Sequence, residues 1–332
     1  MSAAAAADQG AIDFHGVPIT LAYEPFARDA FRCLFAGFGR RARAEHGLHV
    51  ELRSSRRILN EAPPPDWRAT FCHGLVQGYT LDGAHILSDG QSKIEVYPRL
   101  GRMFGEVFEG AETDLSAGMQ HIALSLLLRE RAIFDLHAAT ACTESRALVV
   151  IGDSGAGKTT LLLSLMELGC DFLGDDRLLF RARSKGTELL AYPREFHLSP
   201  ATLELVTRPI ERDAGAQPNA GKFSIEPLEV WPERFRRSWF GPISLILPHI
   251  EEGPESRLRR VSAAEAFGKL LSSSATVVVE AIESRAEQLH ALKALSDVAD
   301  AYEVTLGADL LSQPVETARR LLASLESLAR ET

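Results

Sequence analysis

Residues 152–159 constrain the fold of this chain more than any other segment. They read Gly-Asp-Ser-Gly-Ala-Gly-Lys-Thr and fit the pattern G-x-x-x-x-G-K-[S/T] in full. The apolar segment ALVVI precedes them at 147–151, and the leucine-rich segment TTLLLSLMEL follows at 159–168 and stops at Gly169. This context predicts a strand, a glycine-rich turn and a helix, which is the arrangement of a phosphate-binding loop.

The residue types of this loop suit the chemistry of bound phosphates. Glycines let successive backbone N–H groups point at phosphate oxygens, and the helix N-terminus adds its positive end. Lys158 is predicted to reach the β- and γ-phosphates, and the Thr159 hydroxyl to ligate magnesium. The alternative is an ordinary glycine-rich turn. The predicted nucleotide-binding residues are Gly152, Asp153, Ser154, Gly155, Ala156, Gly157, Lys158, Thr159 and Thr160.

Two adjacent carboxylates follow the next predicted strand. The segment CDFL at 170–173 leads into Gly174-Asp175-Asp176, 18 residues from Lys158 to Asp176. If this strand neighbours the strand of the loop, both carboxylates emerge at the edge where the phosphates lie. One could then hold magnesium and the other accept a proton. The alternative is a solvated turn in which Asp176 caps the next segment.

His137 lies 21 residues before Lys158, at the start of a segment that leads toward the loop. Taken alone, a histidine in this position is more often a packed core residue than a catalyst. The other histidines have no spacing typical of metal ligands. The four cysteines are far apart and form no CxxC pair, which indicates reduced thiols rather than a zinc site or a disulfide framework.

Composition excludes several classes of protein. The 332 residues are enough for two domains, and the formal net charge of −9 has the wrong sign for a chain that mainly neutralises nucleic-acid phosphates. No run approaches the roughly 18 apolar residues of a membrane span. The start, MSAAAAADQG, lacks the basic region of a signal peptide. We therefore expect a cytoplasmic protein that binds neither nucleic acid nor membrane.

The pattern of the chain predicts a disordered tail at 1–10, an N-terminal α+β module at 11–112, and a catalytic domain at 113–332. Within the module we predict a strand pair, a helix and a hairpin with Asp-Gly at its turn. A helix with Asp114 as its N-cap then leads into the second domain. The elements are predicted at 12–23 (strand pair), 25–46 (helix), 85–98 (hairpin), 114–131 (helix), 243–248, 275–282 and 301–307 (strands) and 315–329 (helix).

The segment LHAATACTESRALVVIGDSGAGKTTLLLSLMELGCDFLGDD resembles the catalytic core of the bacterial HPr kinase/phosphorylase family. These are ATP-dependent protein-serine kinases with a fold related to phosphoenolpyruvate carboxykinase. The resemblance joins a histidine, the GDSGxGK[ST] form of the loop and a paired aspartate one helix later, whereas ordinary P-loop ATPases usually place their second acidic motif much further along. It implies an α/β fold with a P-loop kinase core of the HPr kinase C-terminal or phosphoenolpyruvate carboxykinase-like type, and a homo-oligomer.

The resemblance also implies roles for individual residues. Asp176, at the family's base position, would abstract the proton of an acceptor hydroxyl. Lys158 and Thr159 would hold phosphate and magnesium, and Asp175 would support the metal. His137 would lie beside the acceptor and tune the charge of the site.

The chain departs from the family after residue 180. Regulatory members continue with an LEIRGLG-like segment that supplies another acidic metal ligand, where this chain reads LLAYPREFHLSP. Glu195 could replace that ligand and Arg194 could contact phosphate, although each could equally be a surface residue. Lys222, in NAGKFSIEP, is a candidate for the family's later catalytic arginine. The overall layout is closer to divergent HPr-kinase-like proteins, some of which phosphorylate a serine of a ribosomally made peptide.

Three functions remain open from the sequence. The leading hypothesis is an ATP- and Mg-dependent kinase that transfers the γ-phosphoryl group to a serine hydroxyl of a protein or peptide, with Asp176 as base. The second keeps the loop but makes the acceptor a small metabolite or a carboxylate. The third is a nucleotide-binding sensor or assembly module without phosphotransfer, against which the presence of Lys158, Thr159 and both aspartates argues.

Overall fold

The computed structural model describes residues 8–24, 31–40, 47–59, 63–111, 113–204, 221–274 and 284–330. Its internal contacts divide the chain into two compact units. Within the described residues, the first unit runs to residue 134 and includes 284–288, and the second contains 135–274 and 289–330. The division follows the helix at 113–128, whereas the sequence places a boundary before it.

The first unit is built on a mixed sheet whose described strands have the order β1-β2-β3-β8-β7-β6-β5-β4. Ile94 and Val96 of β7 are buried while Lys93, Glu95 and Tyr97 are half-buried, the period of two of a sheet with one covered face. The strands are β1 (Asp8–Phe14), β2 (Val17–Tyr23), β3 (Leu48–Ser55), β4 (Arg68–His73), β5 (Val76–Leu81), β6 (Ala84–Ser88), β7 (Lys93–Tyr97) and β8 (Arg102–Phe108).

The predicted strand pair and hairpin of this unit are confirmed. β1 pairs with β2 and β6 with β7, both antiparallel, and Gly90 adopts a φ of 82° in the hairpin turn. The prediction of a disordered tail is wrong for residues 8–10, because Asp8–Gly10 pair with Leu21–Tyr23 at the start of β1. The rest of the predicted tail, residues 1–7, lies outside the described residues.

One helix of this unit ends earlier than predicted, whereas another matches its predicted span of 114–131 within a few residues. α1 (Arg32–Gly37) ends before Phe38, which is extended, because the chain then pairs with β1 through a bridge between Arg40 and Ile12. The predicted stretches 25–30 and 41–46 lie outside the described residues. α2 (Thr113–Leu128) packs against β7 and β8 and continues as a short 3₁₀ helix to residue 131. Asp114 lies inside α2, so its prediction as N-cap is wrong.

The second unit has a larger sheet of order β12-β10-β11-β18-β20-β19, a sheet of order β17-β14-β13-β9, and the pair β15-β16. β10 is antiparallel to both β11 and β12, so β11 and β12 run in the same direction although they are not neighbours. The strands are β9 (Phe134–Leu136), β10 (Ala139–Cys142), β11 (Ala147–Val150), β12 (Asp171–Gly174), β13 (Leu178–Arg183), β14 (Gly186–Ala191), β15 (Phe196–Leu198), β16 (Phe223–Ile225), β17 (Ser238–Trp239), β18 (Ile243–Ile250), β19 (Arg257–Arg260) and β20 (Ala299–Leu306).

The helix that follows the glycine-rich loop, α3, lies in the core of this unit. Its leucines are buried together with residues of β10, β11 and the last helix, α9. The predicted strands at 147–151, 170–173, 243–248 and 301–307 and the closing helix are confirmed within a few residues, and 275–282 lies outside the described residues. The helices are α3 (Lys158–Glu167), α4 (Pro200–Leu203), α5 (Pro227–Val230), α6 (Ala263–Ser273), α7 (Arg285–Val298, of which 285–288 belong to the first unit), α8 (Asp309–Ser312) and α9 (Pro314–Arg330).

Both units combine helices and sheets, so the fold is of the mixed α/β type. Across the part of the chain that the structure describes, no helix is both long enough and apolar enough to cross a bilayer.

Truncating the core of α3 should destabilise the protein strongly. Leu162 is fully buried, so Leu162→Ala removes apolar contacts and leaves a cavity, at an expected cost of about 2–5 kcal/mol of unfolding free energy. Leu311, which is 57% exposed, provides the matched control, and Leu311→Ala should change stability by less than about 0.5 kcal/mol. Chemical denaturation of both variants measures the difference, and equal effects would contradict this packing of α3.

Candidate functional site

The glycine-rich loop joins the carboxyl end of β11 to the N-terminus of α3. Gly155 and Gly157 have φ values of 84° and 88°, in the left-handed region that favours glycine. A Cβ on Gly157 would also lie 2.7 Å from Leu306 Cδ1. The tip of the loop, 153–155, is exposed. The loop therefore presents exposed backbone at the positive end of a buried helix.

Lys158 begins α3, and its ammonium group lies against the loop. Nζ donates to the carbonyl oxygens of Gly152 at 2.8 Å and Asp153 at 3.1 Å. Burial lowers the pKa of Lys158, and the carboxylates of Asp176 and Asp175 oppose that shift. The ammonium group of Lys158 therefore lies beside the loop, where it could contact a bound anion.

Asp175 is buried and connects the loop to the turn after β12. The Thr159 hydroxyl donates to Asp175 Oδ2 at 2.9 Å, while Oδ1 is buried without a hydrogen-bond partner. Burial and the neighbouring charge of Asp176 raise the pKa of Asp175 to about 7. The two strands are not neighbours, because β10 lies between β11 and β12. Since β11 and β12 run in the same direction, their carboxyl ends still meet.

The side chain of Asp176 contacts different residues from those that Asp175 contacts. His137 Nδ1 lies 3.2 Å from Asp176 Oδ1 and 3.0 Å from the Asp176 carbonyl oxygen. Arg194 Nη1 donates to Asp176 Oδ2 at 3.4 Å. The side chain of Asp176 is 41% exposed, so this carboxylate is accessible from outside the protein.

The charges around Asp176 keep its carboxylate ionised. Burial raises the pKa of Asp176, but the positive charges of His137, Arg194, Arg177 and Lys158 outweigh this effect and lower the pKa below its ordinary value. The two adjacent aspartates therefore have opposite pKa shifts. Such a divergence is typical of paired carboxylates with different chemical roles.

The three remaining predicted residues lie around this cluster. Arg194 contacts Asp176 directly. Lys222 is exposed, and its positive charge acts on both Lys158 and Asp175, where it opposes the raised pKa of Asp175. Glu195 is half-buried, and its charge acts on Arg194.

Two further residues at the site have no motif that marks them in the sequence. Arg177 Nη1 donates to Asp135 Oδ2 at 2.9 Å. Asp135 precedes His137 by two residues and Arg177 directly follows Asp176. Their closeness to these predicted residues is the signal that could have identified them.

A cavity of about 520 Å³ opens between the loop and the end of β18. In the sheet, β18 and β12 lie on opposite sides of β11, the strand that leads into the loop. Pro248 and Ile250 provide apolar surface, and Glu265, Lys269 and Glu303 provide charge. The other lining residues are Ile151, Gly152, Asp153, Ser154, Gly155, Ala156, Leu247 and His249. The loop thus has the carboxylates on one side and a cavity on the other.

A second cavity, of about 500 Å³, lies on the sheet of the first unit. Four of its charged side chains form two ion pairs, Arg53 with Glu51 at 2.6 Å and Lys93 with Glu95 at 2.8 Å. These pairs are typical of a solvated sheet face. Within the described ranges no three His, Cys, Asp or Glu side chains are grouped as metal ligands.

Comparison with known proteins leaves the family open. No family model and no curated protein matches the chain. Among solved structures, the HPr(Ser) kinase/phosphatase from Coxiella burnetii aligns with 58% of this chain and 98% of its own, at 10% sequence identity and a TM-score of 0.30. A TM-score this low does not establish a shared fold.

The raised pKa of Asp175 predicts a specific pH dependence of stability. Between the ordinary aspartate pKa of about 4 and the folded value of about 7, the folded protein keeps a proton that the unfolded chain releases. Raising the pH through this window should therefore lower the unfolding free energy of the wild type relative to Asp175→Asn, and the difference should level off above it. Denaturation at a series of pH values, in EDTA and without nucleotide, measures this. A constant difference from pH 4 to pH 8 would contradict the assignment.

Proposed function

We propose that this protein is an ATP- and Mg-dependent kinase that transfers the γ-phosphoryl group to a serine hydroxyl of a protein or peptide. The observation that carries the proposal is the environment of the two adjacent carboxylates. Asp175 is buried against the Thr159 hydroxyl, and Asp176 is ionised, accessible and paired with His137. One carboxylate suits a metal and the other suits proton transfer.

The polar groups around Asp175 fit a magnesium ion. A buried carboxylate oxygen without a hydrogen-bond partner is costly, and a cation would satisfy it. Magnesium prefers oxygen ligands, usually one or two carboxylates together with phosphate oxygens and water. Thr159 and Asp175 would hold the ion, which supplies neutralisation of the charge on the phosphates.

The loop and its cavity support nucleotide binding. Backbone at 153–155 is exposed at the helix N-terminus, where phosphate binds favourably. Lys158 would exchange its contacts with the loop carbonyls for phosphate oxygens. The cavity beside the loop has apolar surface at Pro248 and Ile250 that suits a nucleobase. A nucleotide bound in this way would direct its terminal phosphate toward the carboxylates.

Asp176 is the residue that would accept the proton of the acceptor hydroxyl. Its lowered pKa means that the carboxylate is ionised at neutral pH and ready to accept a hydrogen bond. His137, within 3.2 Å, contacts Asp176 and orients its carboxylate, and burial lowers the pKa of His137, which favours the neutral imidazole. Arg194 and Lys222 add positive charge near the path of the transferred group, where negative charge must be stabilised.

Labelled ATP provides the direct test. Wild-type protein, Mg²⁺ and γ-labelled ATP are incubated with a library of serine-containing peptides and with proteins encoded nearby, and phosphoserine is identified by mass spectrometry. Asp176→Asn removes the proton acceptor and should lower kcat by about 10²–10⁴-fold. Lys158→Ala removes a phosphate contact and should weaken ATP binding measured by calorimetry.

Two variants outside the site serve as controls. Asp171→Asn changes an aspartate of β12 that pairs with Arg236, and Lys185→Ala changes an exposed lysine. Both should leave phosphotransfer unchanged. Label on a small metabolite instead of a peptide would replace the acceptor in this proposal. ATP binding that requires Lys158, with no labelled acceptor and hydrolysis indifferent to Asp176→Asn, would favour a nucleotide-binding sensor.

A further inference from the structure

One buried ion pair joins the two segments that carry His137 and Asp176. Arg177 Nη1 lies 2.9 Å from Asp135 Oδ2, and the two side chains are only 16% and 10% exposed. Asp135 belongs to β9, whose carboxyl end leads to His137, and Arg177 lies between Asp176 and β13. β9 and β13 are neighbours in one sheet, so the pair spans adjacent strands at the edge of the site.

The two arginines next to Asp176 have different partners. Arg194 contacts Asp176, whereas Arg177 contacts Asp135 and lies over the ring of Tyr192, with 5.7 Å from its Cζ to the ring centroid. The two guanidinium groups are close enough to each other that the positive charge of Arg177 lowers the pKa of Arg194. Asp135 thus forms an ion pair with Arg177, and Asp176 forms one with Arg194.

The position of Arg177 depends on the charge of Asp135. A guanidinium that is largely buried is strongly destabilised without a counter-charge. If Asp135 were neutral, the adjacent carboxylate of Asp176 would be a nearby counter-charge for Arg177, which already acts on it electrostatically. A second guanidinium on Asp176 would compete with His137 and occupy the oxygen that an acceptor hydroxyl needs.

We propose that Asp135 is a positioning residue that holds Arg177 away from Asp176, so that Asp176 stays paired with His137 and open to the acceptor. The effect of Asp135 on catalysis rests on the proposed kinase function. The placement of Arg177 by Asp135 does not rest on it, because it is a property of the protein without substrates.

The kinetic test separates charge balance from simple structural support. Asp135→Asn should lower kcat about tenfold or more while the KM for ATP changes less than about threefold. The double variant Asp135→Asn/Arg177→Gln removes both charges and should recover most of the lost kcat. A double variant as impaired as Asp135→Asn would overturn the proposal, because it would mean that the ion pair only supports the fold.

A matched control exists in the same sheet. Glu188 of β14 pairs with Arg181 of β13 at 2.8 Å, with 18% and 16% exposure. Glu188→Gln breaks an ion pair of similar burial and should leave kcat unchanged. If Asp135→Asn does not fold at the assay temperature, the kcat of the double variant is compared with that of the wild type instead. A kcat near that of wild type supports the proposal, and a tenfold lower kcat overturns it.

A crystal structure of Asp135→Asn tests the placement without any assay of activity. We expect the Arg177 guanidinium to hydrogen-bond to the Asp176 carboxylate. An Arg177 that stays over Tyr192 would overturn the proposal. If the wild type transfers no phosphoryl group but Arg177 moves as expected, the kinase function fails while the positioning of Arg177 by Asp135 stands.

Discussion

The hydrogen bond from Thr159 to Asp175 joins the two parts of the candidate site. Thr159 lies in the first turn of α3, whose leucines are buried in the core. Asp175 lies beyond β12, two strands away from the strand of the loop. Because β10 runs antiparallel to both β11 and β12, the carboxyl ends of β11 and β12 reach the same edge of the sheet. The sheet arrangement therefore places a carboxylate against the loop, and the buried helix keeps the hydroxyl in position.

The charges around the site shift the pKa values of two adjacent aspartates in opposite directions. Asp175 is desolvated and lies next to another carboxylate, which favours its protonated form in the absence of a cation. Asp176 is surrounded by positive groups, which favour its ionised form. The ion pair of Asp135 with Arg177 contributes to this difference because it gives one guanidinium a counter-charge other than Asp176. A single backbone turn thus places two carboxylates with opposite pKa shifts side by side.

Local sequence patterns predict the loop, its helix and the strands β11, β12, β18 and β20 of its sheet, because these depend on hydrophobic periodicity and on glycine. The same patterns single out Asp176, whereas only the family resemblance gives His137 a role, and the structure places the two residues in contact. They do not reveal that β10 inserts between β11 and β12, because strand order depends on long-range pairing. The short α1 is a related case, since pairing of Arg40 with β1 competes with the helical pattern of the sequence. The Asp135–Arg177 pair joins residues 42 positions apart, so no local motif indicates it.

We propose that the loop, Thr159, Asp175 and Asp176 act on one triphosphate. A crystal structure with a non-hydrolysable ATP analogue and Mg²⁺ would show whether they do. We predict phosphates on the backbone N–H groups of 153–158, Mg²⁺ held by Thr159 and Asp175, and the terminal phosphate next to the Asp176 carboxylate. A nucleotide bound elsewhere, or a terminal phosphate directed away from Asp176, would show that these residues do not form one site.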